Sequence, residues 1–403
     1  MALKSDANSD GKPDSGESKP SRSRKGRSLG RVVRFPKAPD ALARRPRVVV
    51  TGGSGFFGER LVRALLARGD RDVVVFDLVP PADLPEVKHR FLDLNLPFAD
   101  GSLFKLLMEE KPDVIVHLAQ LRSPSRQTTY AHELNSIGAL HVFAAAGEAK
   151  VPRILLGSTS LVYGARGDNP NFLTEDHPLR PDPEDRFVRD FVEAETHARS
   201  HVRRIPESRV QILRFVPLLS AEVRDYRTRL FAAPFSWQLM GYDPLLQALH
   251  PDDAVDALMR ALDRPEAQGV FNIAPEGVVP LSTVRLLFGS LGIPVPHPLG
   301  YALYEATWLA GVGLMPGVHA DYFRYLCVVD DAKARRILGF SAKHTTLEVV
   351  LETARARFGT GRLVDLDAVA DDARSARYYF DQRVHPRASA RPAKAAGTAG
   401  ATP

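Results

Sequence analysis

The sequence is poor in cysteine and in long apolar runs. Cys327 is the only cysteine among 403 residues, which excludes an intramolecular disulfide and a zinc site built on several thiolates. A single thiol is typical of a reducing compartment, so we expect a cytoplasmic location.

The longest apolar stretch, 301–315, is shorter than the about 20 residues of a membrane helix and contains Glu305. The N-terminus has no apolar core that would indicate a secretory signal. We therefore expect no membrane-spanning segment.

The net charge of +6 suggests a nucleic-acid partner, but the basic residues lie at the two ends of the chain. Residues 1–47 carry a net charge of +8 and residues 384–403 carry +3, which leaves −5 for residues 48–383. Both ends have few large apolar residues, so burial cannot offset the entropy lost on ordering. We predict a disordered basic tail over 1–46 and a C-terminal extension over 361–403 that is disordered from about residue 384. The acidic body requires no specific nucleic-acid partner.

The first ordered segment has the pattern strand, glycine-rich turn, helix, strand. A β-branched run at 47–51 leads into the turn, helical spacing follows until Gly69, and a second apolar run at 72–76 ends in Asp77. Glycines allow close approach to a pyrophosphate, whose charge the free N–H groups of the helix start would meet. A carboxylate after the second strand accepts hydrogen bonds from an adenosine ribose and repels a 2′-phosphate, which favours NAD over NADP. The predicted turn contacts are Gly52, Gly55, Phe56, Phe57 and Gly58.

The turn TGGSGFFG and the landmarks that follow it resemble the extended short-chain dehydrogenase/reductase superfamily. Within it they are similar to the NAD-dependent epimerase/dehydratase family, which includes UDP-glucose 4-epimerases. The resemblance runs from about residue 47 to about 355 and includes FLDL at 91–94, VIVHLAQ at 114–120, NSIG at 135–138 and ILLGSTSLVYG at 154–164. It implies an α/β fold with a doubly wound, Rossmann-type parallel sheet over 47–216. A smaller C-terminal α/β substrate domain is expected over 217–360, with some elements returning to the first domain.

The resemblance also implies individual roles. Asp93, with Leu94 beside it, would contact the adenine; Leu118 and Ala119 would line the nicotinamide side; Asn135 would support the cofactor. Thr159 takes the position of the hydroxyl that orients the substrate alcohol, and we expect no metal ligand. The implied partners are NAD, a small-molecule substrate such as a nucleotide sugar, and a second copy of the chain in a homodimer.

The acid–base pair of that family is missing. In the family, a Tyr-x-x-x-Lys pair one helical turn apart moves the proton, and the lysine lowers the phenol pKa. Aligning Glu195 with the family's glutamate in the same helix, predicted over 185–201, places Phe187 and Phe191 at the two positions. None of the ten tyrosines has a lysine four residues later. Loss of a general acid–base group costs roughly 10²–10⁴-fold in rate.

Two functions therefore remain open. The chain is either an enzyme that oxidises a sugar or similar secondary alcohol with NAD, or a non-catalytic NAD-binding sensor or scaffold. We interpret Tyr163 and His117 as structural residues. Tyr301, Tyr304 and Trp308 share one face of a predicted helix, where they either build the core of the smaller domain or line a pocket.

Overall fold

A seven-stranded parallel sheet forms the centre of the computed structural model, which describes residues 44–96 and 99–358. The sheet has the strand order β3-β2-β1-β4-β5-β6-β9, and every neighbouring pair in it is parallel. The strands are β1 (Arg47–Thr51), β2 (Asp72–Asp77), β3 (Lys88–Phe91), β4 (Val114–His117), β5 (Arg153–Thr159), β6 (Arg209–Phe215), β7 (Phe235–Leu239), β8 (Leu245–Leu246), β9 (Gly269–Ile273), β10 (Val279–Pro280) and β11 (Leu291–Val295). The order reverses on either side of β1, which confirms the predicted doubly wound fold.

Helices connect these strands. They are α1 (Phe56–Arg68), α2 (Ala99–Glu110), α3 (Thr128–His132), α4 (Gly138–Glu148), α5 (Arg186–Arg204), α6 (Tyr226–Ala232), α7 (Pro251–Asp263), α8 (Leu281–Leu287), α9 (His297–Leu309), α10 (Ala332–Leu338) and α11 (Thr346–Phe358). A π-helical turn, Glu133–Ile137, joins α3 to α4, and short 3₁₀ segments span Ser160–Tyr163 and Gly317–Phe323. No helix in the described ranges combines the length and the apolar character that a membrane crossing requires.

The predicted boundaries agree closely with the observed elements. The first strand is the predicted one, and the second extends one residue further to include Asp77. Helix α5 begins at Arg186 because the Asp185 carboxylate caps it, accepting a hydrogen bond from the Val188 N–H at 3.1 Å. Of the predicted disordered tails, residues 44–46 are described and are exposed without regular secondary structure, and the rest lies outside the described residues.

Successive residues of the central strands face opposite sides of the sheet. Val48 and Val50 pack into the core that α1 and α7 cover, whereas Val49 packs into the core under α2, α4 and α5. Because both faces are covered, the strands read as continuous apolar runs rather than as an alternating pattern. Helices therefore cover both faces of the sheet, and a ligand can approach it at the carboxyl ends of the strands.

The smaller C-terminal part has its own core. It joins the parallel β7–β11 pair to α6, α8, α9 and α11. Tyr304 is buried there and donates to the Trp237 carbonyl at 2.7 Å, and Tyr301 packs against the same core. Tyr304 therefore fits the core interpretation, whereas Tyr301 packs against this core and, with Trp308, also lines a cleft. Strand β9 lies late in the chain yet pairs with β6 of the central sheet.

A fully buried ion pair connects α5 to the sheet. Arg214 on β6 donates from Nε and from one terminal nitrogen to the Glu195 carboxylate, at 2.8 and 2.5 Å. Its other terminal nitrogen donates to the Tyr163 hydroxyl at 2.7 Å, and that hydroxyl donates to Asn272 Oδ1 at 2.7 Å. Burial raises the pKa of Tyr163 to about 12. Tyr163 is thus a structural residue, as the sequence predicts.

Removing one partner of this pair should destabilise the whole fold. We expect Glu195→Gln to lower the free energy of unfolding by about 3–5 kcal/mol, because it leaves the Arg214 charge buried without a counter-charge. Urea unfolding measured by circular dichroism tests this, with the exposed Glu207→Gln as the matched control. A loss no larger than that of the control would contradict the role assigned to the pair.

Candidate cofactor and substrate cleft

A cleft of about 490 Å³ opens beyond the carboxyl ends of the central strands. It lies beside β1 and β4, where the strand order reverses, which is the usual ligand position in open α/β sheets. Of the predicted residues, those that line it are Gly52, Gly55, Phe56, Phe57, Gly58, Leu118 and Thr159. The remaining ones, Asp77, Asp93, Leu94, Ala119 and Asn135, lie outside this lining.

Three glycines of the turn, Gly52, Gly55 and Gly58, have different environments. Gly52 has a φ of +72°, and a Cβ there would lie 2.5 Å from the Ala119 nitrogen. A Cβ on Gly58 would lie 2.0 Å from the Gly52 carbonyl oxygen, so the chain itself requires glycine at both positions. Gly55 has an ordinary φ of −77°, and the nearest atom to its Cβ would be 3.5 Å away. Since Gly55 lines the cleft, the space beside it is available to a ligand rather than filled by protein.

The start of α1 faces this space. Gly55 is its N-cap residue, and no side chain caps the N–H groups of the first turn. Uncapped N–H groups and the positive end of the helix dipole favour an anion. The turn therefore fits the diphosphate of a dinucleotide.

Asp77 holds the glycine-rich turn through hydrogen bonds of its carboxylate. Its carboxylate accepts from the Ser54 N–H at 3.0 Å and from the Leu78 N–H at 2.7 Å. Each carboxylate oxygen keeps a second acceptor position, and the side chain is partly exposed. Asp77 can therefore hold the turn and still accept from ribose hydroxyls.

Asp93, Leu94 and Asn135 make their contacts outside the cleft lining. Asp93 is partly exposed and accepts from the Asn95 N–H at 2.9 Å, while Leu94 is buried. Asn135 is fully buried in the π-helical turn, where its Oδ1 accepts from the Leu121 N–H at 2.7 Å and its Nδ2 has no hydrogen-bond partner among the described residues. Asn135 thus shapes the loop that follows β4, and its support of the cofactor stays a prediction.

His117 supports the sheet below the cleft. The imidazole is fully buried, and its Nδ1 lies 2.7 Å from Thr51 Oγ1. Burial lowers the pKa of His117 to about 4, so the ring is neutral at neutral pH. This geometry agrees with the structural role that the sequence predicts.

Thr159 and the two phenylalanines meet in one wall of the cleft. Thr159 ends β5, and its Oγ1 accepts from the Leu161 N–H at 3.3 Å. The rings of Phe187 and Phe191 are nearly perpendicular, with centroids 5.3 Å apart. Both rings line the same cleft as Thr159. The described lining contains no tyrosine, histidine or lysine, and its carboxylates are Glu222 and Asp225.

Three arginines in the lining were not predicted as site residues. Arg122 follows β4, and its guanidinium carbon lies 5.2 Å from the centroid of the Phe57 ring. Burial lowers the pKa of Arg122 to about 10, which still leaves it charged at neutral pH, and Asp225 opposes this shift. Arg224 and Arg227 also line the cleft. A sequence signal existed only for Arg122, which sits in the loop after a strand whose carboxyl end faces the ligand.

The acidic side chains of the lining are already engaged. Asp225 caps α6 and accepts from the Thr228 N–H and hydroxyl at 2.8 and 2.6 Å. Glu222 pairs with Arg60. Arg122, Arg224 and Arg227 have no ion-pair partner in the part of the chain that the structure describes, so the cleft keeps an excess of positive charge.

Comparisons with known proteins agree with this geometry. Residues 48–274 match the model of the NAD dependent epimerase/dehydratase family. An uncharacterized protein of Mycobacterium tuberculosis is 31% identical over 321 residues, covering 77% of this chain and 84% of the relative. UDP-glucuronic acid decarboxylase 4 of Arabidopsis thaliana is 36% identical over 142 residues, which cover 34% of this chain and 31% of that protein.

Solved structures show the same fold at low sequence identity. MoeE5 in complex with UDP-glucuronic acid and NAD aligns with a TM-score of 0.59 at 24% identity, over 77% of this chain and 98% of that one. A UDP-glucose 4-epimerase from Thermotoga maritima with UDP-glucose aligns with a TM-score of 0.60 at 16% identity, over 78% and 100%.

The different environments of the glycines predict opposite outcomes for two single substitutions. Gly55→Ala should leave the melting temperature close to that of the unchanged chain and weaken NAD binding, because its methyl group enters the ligand space. Gly58→Ala should destabilise the fold, because its methyl group collides with the Gly52 carbonyl. Differential scanning calorimetry and isothermal titration with NAD measure the two effects. Equal losses of stability in both variants would contradict the distinction.

Proposed function

Because the chain belongs to the NAD dependent epimerase/dehydratase family, we propose that its cleft binds NAD and a nucleotide sugar and that the protein acts on a secondary alcohol of that sugar. The observation that carries this proposal is the open space beside Gly55, in front of the uncapped start of α1. The chain does not need glycine there for its own packing. A bound diphosphate would occupy the space beside Gly55, which explains why no side chain is present at this position.

The residues present fit NAD. The first-turn N–H groups and Gly55 would hold its diphosphate, Asp77 would accept from the adenosine ribose, and Asp93 would contact the adenine. Leu118 lines the part of the cleft next to Thr159 and would bound the nicotinamide. NAD supplies hydride acceptance and donation, whereas the protein supplies binding, orientation and electrostatics.

The arginines support a second anionic ligand. The start of α1 offers its own N–H groups to the dinucleotide diphosphate, so Arg122, Arg224 and Arg227 of the lining remain available to a second anion. Guanidinium groups form strong, often bidentate hydrogen bonds with phosphate. The names of the similar proteins include UDP-glucuronic acid and UDP-glucose, so a UDP-sugar is the nucleotide sugar we propose. The Thr159 hydroxyl would orient the reacting alcohol.

Proton transfer needs a group other than a tyrosine. Phe187 and Phe191 present hydrocarbon where the resemblance expects a phenol and an ammonium group, and arginine does not deprotonate at neutral pH. Asp225 is the carboxylate of the lining that has no arginine within ion-pair distance among the described residues. Its Oδ1 accepts from Thr228, so the proton acceptor of the catalytic proposal would be its other carboxylate oxygen.

The phenylalanine pair also favours a second candidate function. An intact cofactor cleft without a phenol or ammonium group is what a non-catalytic NAD-binding sensor or scaffold would have. The two candidates share both ligands and differ in whether a product forms. In either case we propose a cytoplasmic location, on the argument of the single cysteine, and a homodimer, on the resemblance alone.

The arginine argument predicts a selective loss of nucleotide affinity. We expect Arg122→Met to weaken UDP binding by at least about tenfold, since a hydrogen bond to a charged group contributes about 1.5–3 kcal/mol. Isothermal titration with UDP measures the dissociation constant. The exposed Arg203→Met is the control and should bind like the unchanged chain. An unaltered UDP affinity in Arg122→Met would contradict a role of Arg122 in nucleotide binding.

Turnover separates the catalytic from the non-catalytic candidate. The full chain would be incubated with NAD and a panel of UDP-sugars, followed by nicotinamide absorbance and chromatography of the sugar products. The catalytic proposal predicts product formation that falls by about 10²-fold or more in Thr159→Ala and returns in Thr159→Ser, which keeps the hydroxyl. Product formation that is unchanged in Thr159→Ala would contradict the role of Thr159. Binding of NAD and UDP-sugars without any product would contradict catalysis on these sugars and favour the non-catalytic candidate.

A further inference from the structure

The last described helix, α11, ends beside the lining of the cofactor cleft. Arg357, in its last turn, donates to the carbonyls of Val223 and Ala221 at 3.3 and 3.5 Å. Val223 lines the cleft, and the residue that follows it, Arg224, belongs to the same lining. The end of α11 therefore lies within about the length of one arginine side chain from that lining, and residues 359–403 continue the chain from this point.

The sequence after α11 divides into an acidic and a basic part. Residues 363–373, LVDLDAVADDA, carry four aspartates and no Lys or Arg, whereas residues 384–403 carry a net charge of +3. We call residues 363–373 the acidic segment. It also contains two leucines and two valines, so burial against another surface would offset part of the entropy lost on ordering. The acidic segment therefore combines negative charge with apolar side chains, as a docking segment requires.

The connection between α11 and the acidic segment is long enough to reach the cleft. Residues 359–362, GTGR, separate the two. Four residues span at most about 14 Å, which exceeds the single side chain that separates the end of α11 from Val223. A segment on so short a connection has an effective concentration on the order of millimolar at its docking site. Even a weak attraction therefore populates the docked state.

The cleft is complementary to the acidic segment in charge and in apolar surface. Arg122, Arg224 and Arg227 line it, and none of them has an ion-pair partner within residues 44–96 and 99–358. Guanidinium groups donate strong, often bidentate hydrogen bonds to carboxylates. The lining also contains Phe56, whose side chain is 41% exposed, and several aliphatic residues on which leucine and valine side chains can pack.

The N-terminal part of the chain has the opposite charge. Residues 1–47 carry a net charge of +8, so a cleft with three unpaired arginines repels them and attracts the acidic segment. We propose that the acidic segment docks in the cofactor cleft against Arg224 and Arg227 and competes there with the nucleotide sugar. The competition rests on the nucleotide-sugar binding proposed above, whereas the docking depends on this chain's own charges alone.

Neutralising the acidic segment should strengthen UDP binding. The full-length variant carries Asp365→Asn, Asp367→Asn, Asp371→Asn and Asp372→Asn. Isothermal titration should give a UDP dissociation constant lower by about threefold or more, because a segment docked in about two-thirds of the molecules leaves one-third competent to bind. The control carries Asp6→Asn, Asp10→Asn, Asp14→Asn and Glu17→Gln, which change the net charge equally. It should bind UDP like the unchanged chain.

A disulfide cross-link locates the acidic segment without any nucleotide. Ser123→Cys introduces a thiol into the cleft lining, and Ala370→Cys introduces one into the acidic segment while keeping all four aspartates. Burial raises the pKa of the Cys327 thiol to about 12, which suppresses its reactive thiolate. Under mild oxidation, the Ser123–Ala370 pair should close about threefold or more faster than a control pair that joins Ser123→Cys to Ala395→Cys in the basic end. Non-reducing electrophoresis and mass spectrometry measure the cross-link.

Four results would overturn the docking proposal. They are a UDP affinity that the four asparagines leave unchanged, an equal gain of affinity in the N-terminal control, a Ser123–Ala370 cross-link no faster than the control pair, and a cross-link formed only between two chains. The last result would assign the cleft to the acidic segment of a second copy. Absence of UDP binding in every variant would contradict the proposed nucleotide sugar, whereas the cross-link would still decide the docking. Circular dichroism verifies that each variant is folded.

Discussion

The close contact between the start of α1 and the end of β1 is the constraint on which the cleft depends. A single methyl group on Gly58 would lie 2.0 Å from the Gly52 carbonyl, so the helix can approach the strand only because both residues are glycine. Ala119 packs against Gly52 from the end of β4, and Asp77 ties the turn to β2. This packing aims the first N–H groups of α1 at the open space beside Gly55. The dinucleotide site is thus a consequence of how tightly three strands and one helix meet.

A second constraint positions the opposite wall. The buried Glu195–Arg214 pair fixes α5 against β6, and the rotation of the helix then places residues 187 and 191 beside Thr159. The helix keeps this anchor although the two side chains facing the cleft are phenyl rings. The ion pair that holds α5 in place is therefore independent of the side chains that α5 presents to the cleft. The geometry of the cleft can persist whether or not the wall carries a proton donor, which is why fold alone does not decide between catalysis and ligand sensing.

Local patterns in the sequence predict the sheet, the turn and α5 well, because each depends on neighbouring residues. The β-branched runs, the glycine spacing and the Asp185 cap all act within a few residues. The arginines of the cleft were missed because Arg122 and Arg227 lie far apart in the chain and carry no motif of their own. The π-helical turn around Asn135 was missed because its five residues continue between α3 and α4 without a proline or glycine that would mark a break. A second cleft assembles carboxylates from residues 182–190, from α9 and from Asp321, and only tertiary packing brings these together.

The central claim is that NAD lies against Gly55 with its nicotinamide beside Thr159 and the two phenylalanine rings. A crystal structure of the full chain in complex with NAD measures this directly. The account predicts density for the diphosphate at the first turn of α1, an adenosine ribose within hydrogen-bond distance of Asp77, and the nicotinamide nearest to Thr159, Phe187 and Phe191. A dinucleotide bound outside this cleft, or a nicotinamide facing a tyrosine or histidine side chain instead of the phenylalanine rings, would contradict it.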